Sequence, residues 1–360
     1  MNGVVNGHLP IREVDAVGLI RQMLDIPSPS YEEAAIARYL VDTMTGLGFT
    51  ASIDEAGNAT GVIRRGDGPT VMLLGHMDTA PGTVRVRSAD GRLYGRGAVD
   101  AKGPLATMIC AAASAVDYAG TIVVIGAVEE ETPGSRGAVS VRDNHRLPDA
   151  AIIGEPSGWA SIVVGYKGKL DLRYRVERPA THPTNPAPKA DELAVECWNV
   201  IGELVGPTAT HASFDLPGLT LVSMSGDIAE AEVDITVRTP LGFDAASLLE
   251  QLRSRCPDGE LTVLNNVAAC QVDRRSPVVL SLCNGIRAQR AQPVLKVRTG
   301  TSDMNTLAES WDVPMATYGP GDNALDHSDD EHLILSDYLR GISVLRAGIT
   351  ELSRTLQPHR

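Results

Sequence analysis

The chain has 360 residues, enough for two domains that each bury a core, and 21% charged with 43% hydrophobic residues describe a folded rather than a disordered polypeptide. A formal net charge of −13 excludes general affinity for nucleic acid or an anionic membrane, although one face can still carry local positive charge. Five cysteines, Cys110, Cys197, Cys256, Cys270 and Cys283, are scattered, odd in number and never spaced C-x-x-C, which points to reduced thiols and a cytoplasmic setting rather than a disulfide frame.

Met1 to Pro10 shows no basic region followed by an apolar core, and no run approaches about 18 apolar residues, so neither a secretory signal nor a membrane span is expected. Ile11 to Leu24 has helical spacing closed by Pro27. Ser30-Tyr31-Glu32-Glu33 has the form of a capping box ahead of a second helix that Gly46 and Gly48 end. Short strands at Phe49–Ile53 and Ala59–Arg64 precede Val71–Leu74, whose four bulky apolar residues suit a strand buried on both faces. His76 and Asp78 follow at its end.

Arg92 to Gly97 reads as a glycine-punctuated loop leading to Asp100, and Pro104 to Val116 as an alanine-rich helix. Thr121–Gly126 and Ala150–Gly154 are two further apolar strands, ending in Glu129-Glu130-Glu131 and in Glu155-Pro156. Three buried strands, each delivering an imidazole or carboxylate at its carboxyl end, with helices between, describe an α/β architecture around a central, mostly parallel sheet with a site along one rim.

From Gly165 the pattern alternates: Leu170, Leu172, Tyr174 and Val176 are separated by charged residues. A proline-rich loop holding His182, a helix over 191–204, strands over 219–224 and 231–237, a helix over 245–255 and a strand over 261–267 give the order β-α-β-β-α-β, the ferredoxin-like split motif. The expected domains are therefore 1–164 and 275–360 around an inserted α+β domain, 165–274. After it come a helix over 277–291, a strand over 294–297, the loop Thr299–Asp303, a strand over 314–318, the loop Asp326-His327-Ser328 and a final helix over 335–352.

His76, Asp100, one glutamate of 129–131, Glu155 and His327 supply two imidazoles and three carboxylates. That is enough to hold two divalent ions, one histidine and one terminal carboxylate each with one carboxylate shared, and a neighbouring glutamate is then free to take a proton from water. Taken singly, an acid at a strand end is a turn residue or a cap, and Asp303 reads as the cap of its helix. His8, His145, His211, His332 and His359 read as surface residues.

In order along the chain, Gly75-His76-Met77-Asp78-Thr79, Gly95-Arg96-Gly97-Ala98-Val99-Asp100-Ala101-Lys102-Gly103, the acidic run before Pro133, Gly154-Glu155-Pro156 and His327 resemble the motifs of the M20 metallopeptidases. Tyr166-Lys167-Gly168, Thr299–Asn305 and Leu325-Asp326-His327 resemble the branch that releases lysine or ornithine from amino-group carrier proteins in amino-acid biosynthesis. The resemblance implies a zinc-peptidase-like catalytic domain with an inserted lid, two zinc or cobalt ions, and a small acidic carrier protein as substrate. Small-molecule deacylation, dipeptidase activity or a non-catalytic binding role are the alternatives.

Carried over by position, the resemblance implies His76 and Glu155 on one ion, Glu131 and His327 on the other, Asp100 between them, Asp78 supporting His76, and Glu130 as general base. The triple glutamate also permits Glu129 and Glu130 as base and ligand. His182 falls where relatives carry a histidine that reaches a neighbouring subunit's substrate in a lid-mediated homodimer. Lys167, Lys169, Arg173, Arg175 and Arg298 are candidates for a basic surface that receives the acidic carrier.

Overall fold

The computed structural model describes residues 11–356. The expectations for Met1 to Pro10, His8 and His359 lie outside the described residues. The chain divides into two compact units, one of residues 1–164, 272–296 and 302–360, the other of residues 165–271 and 297–301. Residues 297–301, expected in the catalytic domain, group with the second unit because Arg298 accepts the Lys167 N–H at 3.1 Å and Arg238 donates to the Thr301 hydroxyl at 3.2 Å.

The first unit is built on a mixed sheet with strand order Thr50–Ile53, Ala59–Arg65, Gly120–Ala127, Thr70–His76, Ala150–Gly154, Met315–Thr317 and Ser161–Tyr166. Its middle pairings are parallel and its flanking pairings antiparallel. Thr70–His76 is buried from Val71 onward, as four consecutive large apolar residues require of a strand covered on both sides.

Gly75 lies opposite Gly126 on one neighbour and Gly154 on the other. That row of three glycines makes room for the helix Lys102–Ser114. A methyl group at Gly75, Gly126 or Gly154 would meet Leu105 at 3.4 Å, Leu105 and Leu40 at 3.2 Å, or Met108 at 2.9 Å respectively. The close approach of this helix brings the residue just ahead of it, Asp100, over the same rim as His76.

The capping box expected at Ser30 does not form. The helix starts at Ala34 without a side-chain cap, the Ser30 hydroxyl donates to Asp78 at 2.8 Å, and Glu33 accepts the backbone N–H groups of Tyr31 and Glu129 at 3.0 and 3.1 Å. Arg92–Tyr94, expected as loop, is the middle strand of a small sheet with Arg87–Ala89 and His332–Ile334. His332 is thereby drawn from the surface: its side chain is 11% exposed and its ring lies 4.9 Å from that of Tyr94.

The second unit is an antiparallel four-stranded sheet in the order Gly218–Gly226, Glu230–Thr239, Gly168–Glu177, Glu260–Val267, with the helices Ala190–Val205 and Ala245–Arg255. Numbered along the chain this is strand order 2-3-1-4, the arrangement of the split β-α-β motif. Leu170, Leu172, Tyr174 and Val176 pack with Val233, Ile235 and Val237 against Leu193, Ala194, Ile201, Leu248 and Leu252.

The alternate residues form a charged ladder. Lys169 pairs with Asp171 at 2.8 Å, Arg173 with Asp234 and Glu232 at 2.8 and 3.2 Å, and Arg175 with Glu177 and Glu230 at 2.9 and 3.5 Å. The free basic surface expected from these residues is therefore neutralised by carboxylates of the same sheet. Lys167 is buried, its ammonium directed at the Leu216 and Thr210 carbonyls.

Candidate metal centre

The parallel pairing of three strands fixes which side chains share the rim. His76 ends its strand opposite Ala127, Glu130 and Glu131 lie just beyond that neighbour, and Glu155 directly follows Gly154. Asp100 arrives from the turn before the glycine-seated helix, through a cis peptide bond to Ala101, and His327 from the loop after Asn323–Leu325.

Two groups of donors result, His76 with Glu130 and Glu155, and Asp100 with Glu131 and His327, the ligand atoms of each within 4.8 Å of one another. Asp100 reaches toward both: its Oδ1 is 3.1 Å from His76 Nε2 and its Oδ2 is 3.2 Å from His327 Nε2. His76 Nε2 is also 3.8 Å from Glu155, and His327 Nε2 is 2.7 Å from Glu131. His76 is 1% exposed, whereas the His327 side chain is 48% exposed, so the second group opens to solvent.

Asp78 is fully buried and organises the rim from behind. Its backbone carbonyl lies 3.0 Å from His76 Nδ1, and its carboxylate accepts the Ser30 hydroxyl at 2.8 Å and the Glu130 and Glu131 N–H groups at 3.1 Å each. Burial alone would raise this carboxyl, but the His76, Ser30 and backbone donors hold it below the usual range. A backbone carbonyl or carboxylate behind one imidazole nitrogen leaves the other free to bind a metal, and Asp78 stands in that position behind His76 Nδ1.

Glu129 turns away. Its backbone has a positive φ of 58°, and its carboxylate accepts Arg136 at 2.6 and 2.8 Å. Asp303 does not serve as the expected helix cap, because Ser302 fills that position: its hydroxyl accepts the Met304 N–H at 3.2 Å and its own N–H donates to Asn305 Oδ1 at 3.0 Å. Asp303 is instead 2% exposed, and its Oδ1 has no hydrogen-bond partner among the described residues.

The electrostatics are those of a donor set short of positive charge. Burial, then Asp303, Glu131 and Asp100, push Glu130 well above the usual carboxylate range against the pull of His76. Burial, then Glu130, Asp100 and Asp303, do the same to Glu155, and burial pushes Asp303 up to about 7. The imidazoles respond in the complementary sense. Burial opposes protonation of His76, yet Asp100 and Asp78 raise it well above the ordinary value, and Asp100 with Glu131 push His327 up to about 10. Protons here offset a surplus of carboxylate that divalent cations would satisfy better, and the mixture of imidazole nitrogen and carboxylate oxygen suits such ions.

His182 lies in the second unit, exposed, with Nδ1 2.8 Å from the Thr184 hydroxyl. Residues not anticipated as part of the centre are Ser30 and Glu33, which brace the rim, and Glu331, which accepts the Asp100 N–H at 3.2 Å. Glu331 ends the acidic run Asp329-Asp330-Glu331 just before apolar Leu333, and an acid entering a strand was the one signal of its burial.

A buried parallel-sheet rim carrying two imidazole–carboxylate groups is the frame of a hydrolase with paired metal ions. The model of peptidase family M20/M25/M40 matches residues 72–351, and the chain belongs to that family of metal-dependent hydrolases. The LysW-lysine hydrolase of Deinococcus radiodurans is 44% identical over 352 residues, covering 93% of this chain and 96% of that protein. An M20 metallo-carboxypeptidase from Sulfolobus solfataricus has the same fold, with a TM-score of 0.80 at 16% identity over 95% of this chain and 100% of that one. A dinuclear metal-binding M20 peptidase from Bacillus subtilis aligns with a TM-score of 0.71 at 12% identity over 96% and 99% of the two chains.

Proposed function

We propose that this protein releases lysine or ornithine from the C-terminal glutamyl group of a small acidic amino-group carrier protein. The observation that carries the substrate is the near full-length, 44% identity to a protein named LysW-lysine hydrolase. The two convergent donor groups support the chemistry. Residues His76 and Glu155 would hold one ion, Glu131 and His327 the other, with Asp100 shared between them. Zinc is the expected ion, and cobalt suits the same donors. Bound there, such ions supply Lewis-acid polarisation of an amide carbonyl and make water a stronger acid.

Glu130 is the proposed general base. Its carboxyl lies in the His76 group, and burial raises its proton affinity, so it can accept a proton from the attacking water and return it to the leaving amine. The turn that commits Glu129 to Arg136 supports the assignment of Glu130 and Glu131, rather than Glu129 and Glu130, as base and ligand. Asp78 keeps the rim in place, and His182 is proposed to donate to the carbonyl oxygen as charge develops on it.

The strand Gly218–Gly226 forms one edge of its sheet and exposes Leu221, Val222 and Met224, which supports pairing with a second copy along this edge. Five unpaired, buried thiols support a cytoplasmic location.

The test is mass spectrometry of carrier protein charged with lysine or ornithine after incubation with zinc- or cobalt-loaded enzyme, with acetylornithine in parallel. Loss of the terminal amino acid that a chelator abolishes is the expected result. Rapid deacetylation with an intact charged carrier overturns the substrate assignment.

A further inference from the structure

Glu331 is fully buried and the Arg96 side chain that pairs with it at 2.8 Å is 11% exposed. Neither belongs to the two donor groups. A buried ion pair is a weak stabiliser, because desolvation consumes most of its Coulombic gain, and its best-attested use is to fix one register. What this pair registers can be read from its remaining bonds.

Glu331 Oε1 accepts the backbone N–H groups of Val99 and Asp100 at 2.9 and 3.2 Å, while Oε2 accepts Arg96 Nη1. The same Arg96 nitrogen donates to the carbonyl of Ser328 at 3.2 Å. The Gly95 N–H donates to the Glu331 carbonyl at 3.3 Å, which closes the clasp along the backbone. One side of the clasp therefore holds the peptide that carries Asp100, and the other holds the residue after His327.

His327 needs such support. It has a positive φ of 58°, which a residue with a side chain keeps only when its surroundings hold it, and its own side chain is half exposed. Beyond the clasp, His327 Nε2 stands 3.2 Å from Asp100 Oδ2. By contrast, His76 and Glu155 are set by the paired strands, and among the described residues neither makes a hydrogen bond or ion pair with Arg96 or Glu331.

We propose that Arg96 and Glu331 are positioning residues that set the approach of His327 to Asp100, and so govern the affinity of the Asp100, Glu131 and His327 group for its ion more strongly than that of the His76 and Glu155 group, which meets the clasp only through Asp100. The proposal rests on the two-ion reading above.

The experiment uses the full chain, stripped of metal and titrated with Co2+ against a chromophoric chelator, with the cobalt absorption bands followed in parallel. The parent should take up two ions. In Glu331→Gln and in Arg96→Met, one uptake event should weaken by about 10-fold or more, the usual cost of losing a residue that orients a ligand, and the other by clearly less. Glu331→Asp, which keeps the charge, should fall between.

If Glu331→Gln is not recovered folded, Arg96→Met carries the same comparison, with the thermal midpoint of the metal-free protein as its control. A parent that binds two ions, with variants in which both events weaken equally or neither changes, overturns the clasp as a selective positioning device. A parent that binds fewer than two ions overturns the two-ion reading itself, and the clasp's role with it.

Discussion

Replacing Asp78 with alanine tests the rim most directly. The substitution removes the acceptor for three partly buried donors, the Ser30 hydroxyl and the Glu130 and Glu131 N–H groups. Each stranded donor costs about 1–3 kcal/mol, so even the lower bound for three comes to about 3 kcal/mol, a large part of the roughly 5–15 kcal/mol that holds an ordinary domain. His76 keeps the Asp78 backbone carbonyl at 3.0 Å, which survives the change, so the loss falls mainly on the Glu130–Glu131 turn. Ion affinity should drop by about 10- to 100-fold, and because the turn feeds both donor groups, both ions should weaken. Chelator competition measures the affinities and urea unfolding of the metal-free protein measures the stability. Affinities within twofold of the parent at unchanged stability would refute the reasoning.

Glu130→Gln should bind both ions and lose about 10²- to 10⁴-fold in kcat, while Glu129→Gln, whose carboxylate serves Arg136, should stay within a few-fold; the reverse pattern in steady-state assays moves the base by one residue. Ion uptake should release protons. His327, pushed up to about 10 by Asp100 and Glu131 in the metal-free protein, carries a proton at pH 7 that binding must displace, and His76 is raised in the same direction against its burial by Asp100 and Asp78, so affinity should rise as pH climbs. Calorimetry in buffers of different ionisation enthalpy should show proton release on ion uptake at pH 7, and no release contradicts the assignment. Leu172→Ala, deep in the core of the second unit, should cost about 2–5 kcal/mol of stability in denaturant unfolding while leaving ion affinity within twofold, and weakened affinity would show that this core supports the rim.

The sheet was legible where burial dictates composition. Runs such as Val71–Leu74 and Ala150–Gly154 have no surface reading, and the period of two through Leu170 to Val176 announces a sheet with one dry face. His76, Glu130, Glu131 and Glu155 were legible for a related reason, because they stand where such a run stops, whereas Asp100 and His327 come from loops that carry no such signal. What stayed hidden depends on distant partners. Ser30 has the spacing of a helix cap, and only a carboxylate 48 residues later in the chain gives its hydroxyl another acceptor. Arg92–Tyr94 is too short to show a period, and its partner His332–Ile334 lies more than two hundred residues away. The charges of the second unit looked available because the sequence lists Arg173 and Asp234 far apart, whereas the sheet sets them face to face.

The glycine row at residues 75, 126 and 154 has a consequence for how this centre can be altered. The height at which the helix Lys102–Ser114 rides over the sheet is set by three absent side chains, and Asp100 travels with that helix. A methyl group added at Gly126, where Leu105 and Leu40 each stand 3.2 Å away, acts as a spacer beneath the first turn of the helix that Asp100 precedes. The gap between Asp100 and His76 is therefore adjustable from a position that offers no donor atom, and redesign toward ions of different radius can begin under the helix and leave every ligand as it is.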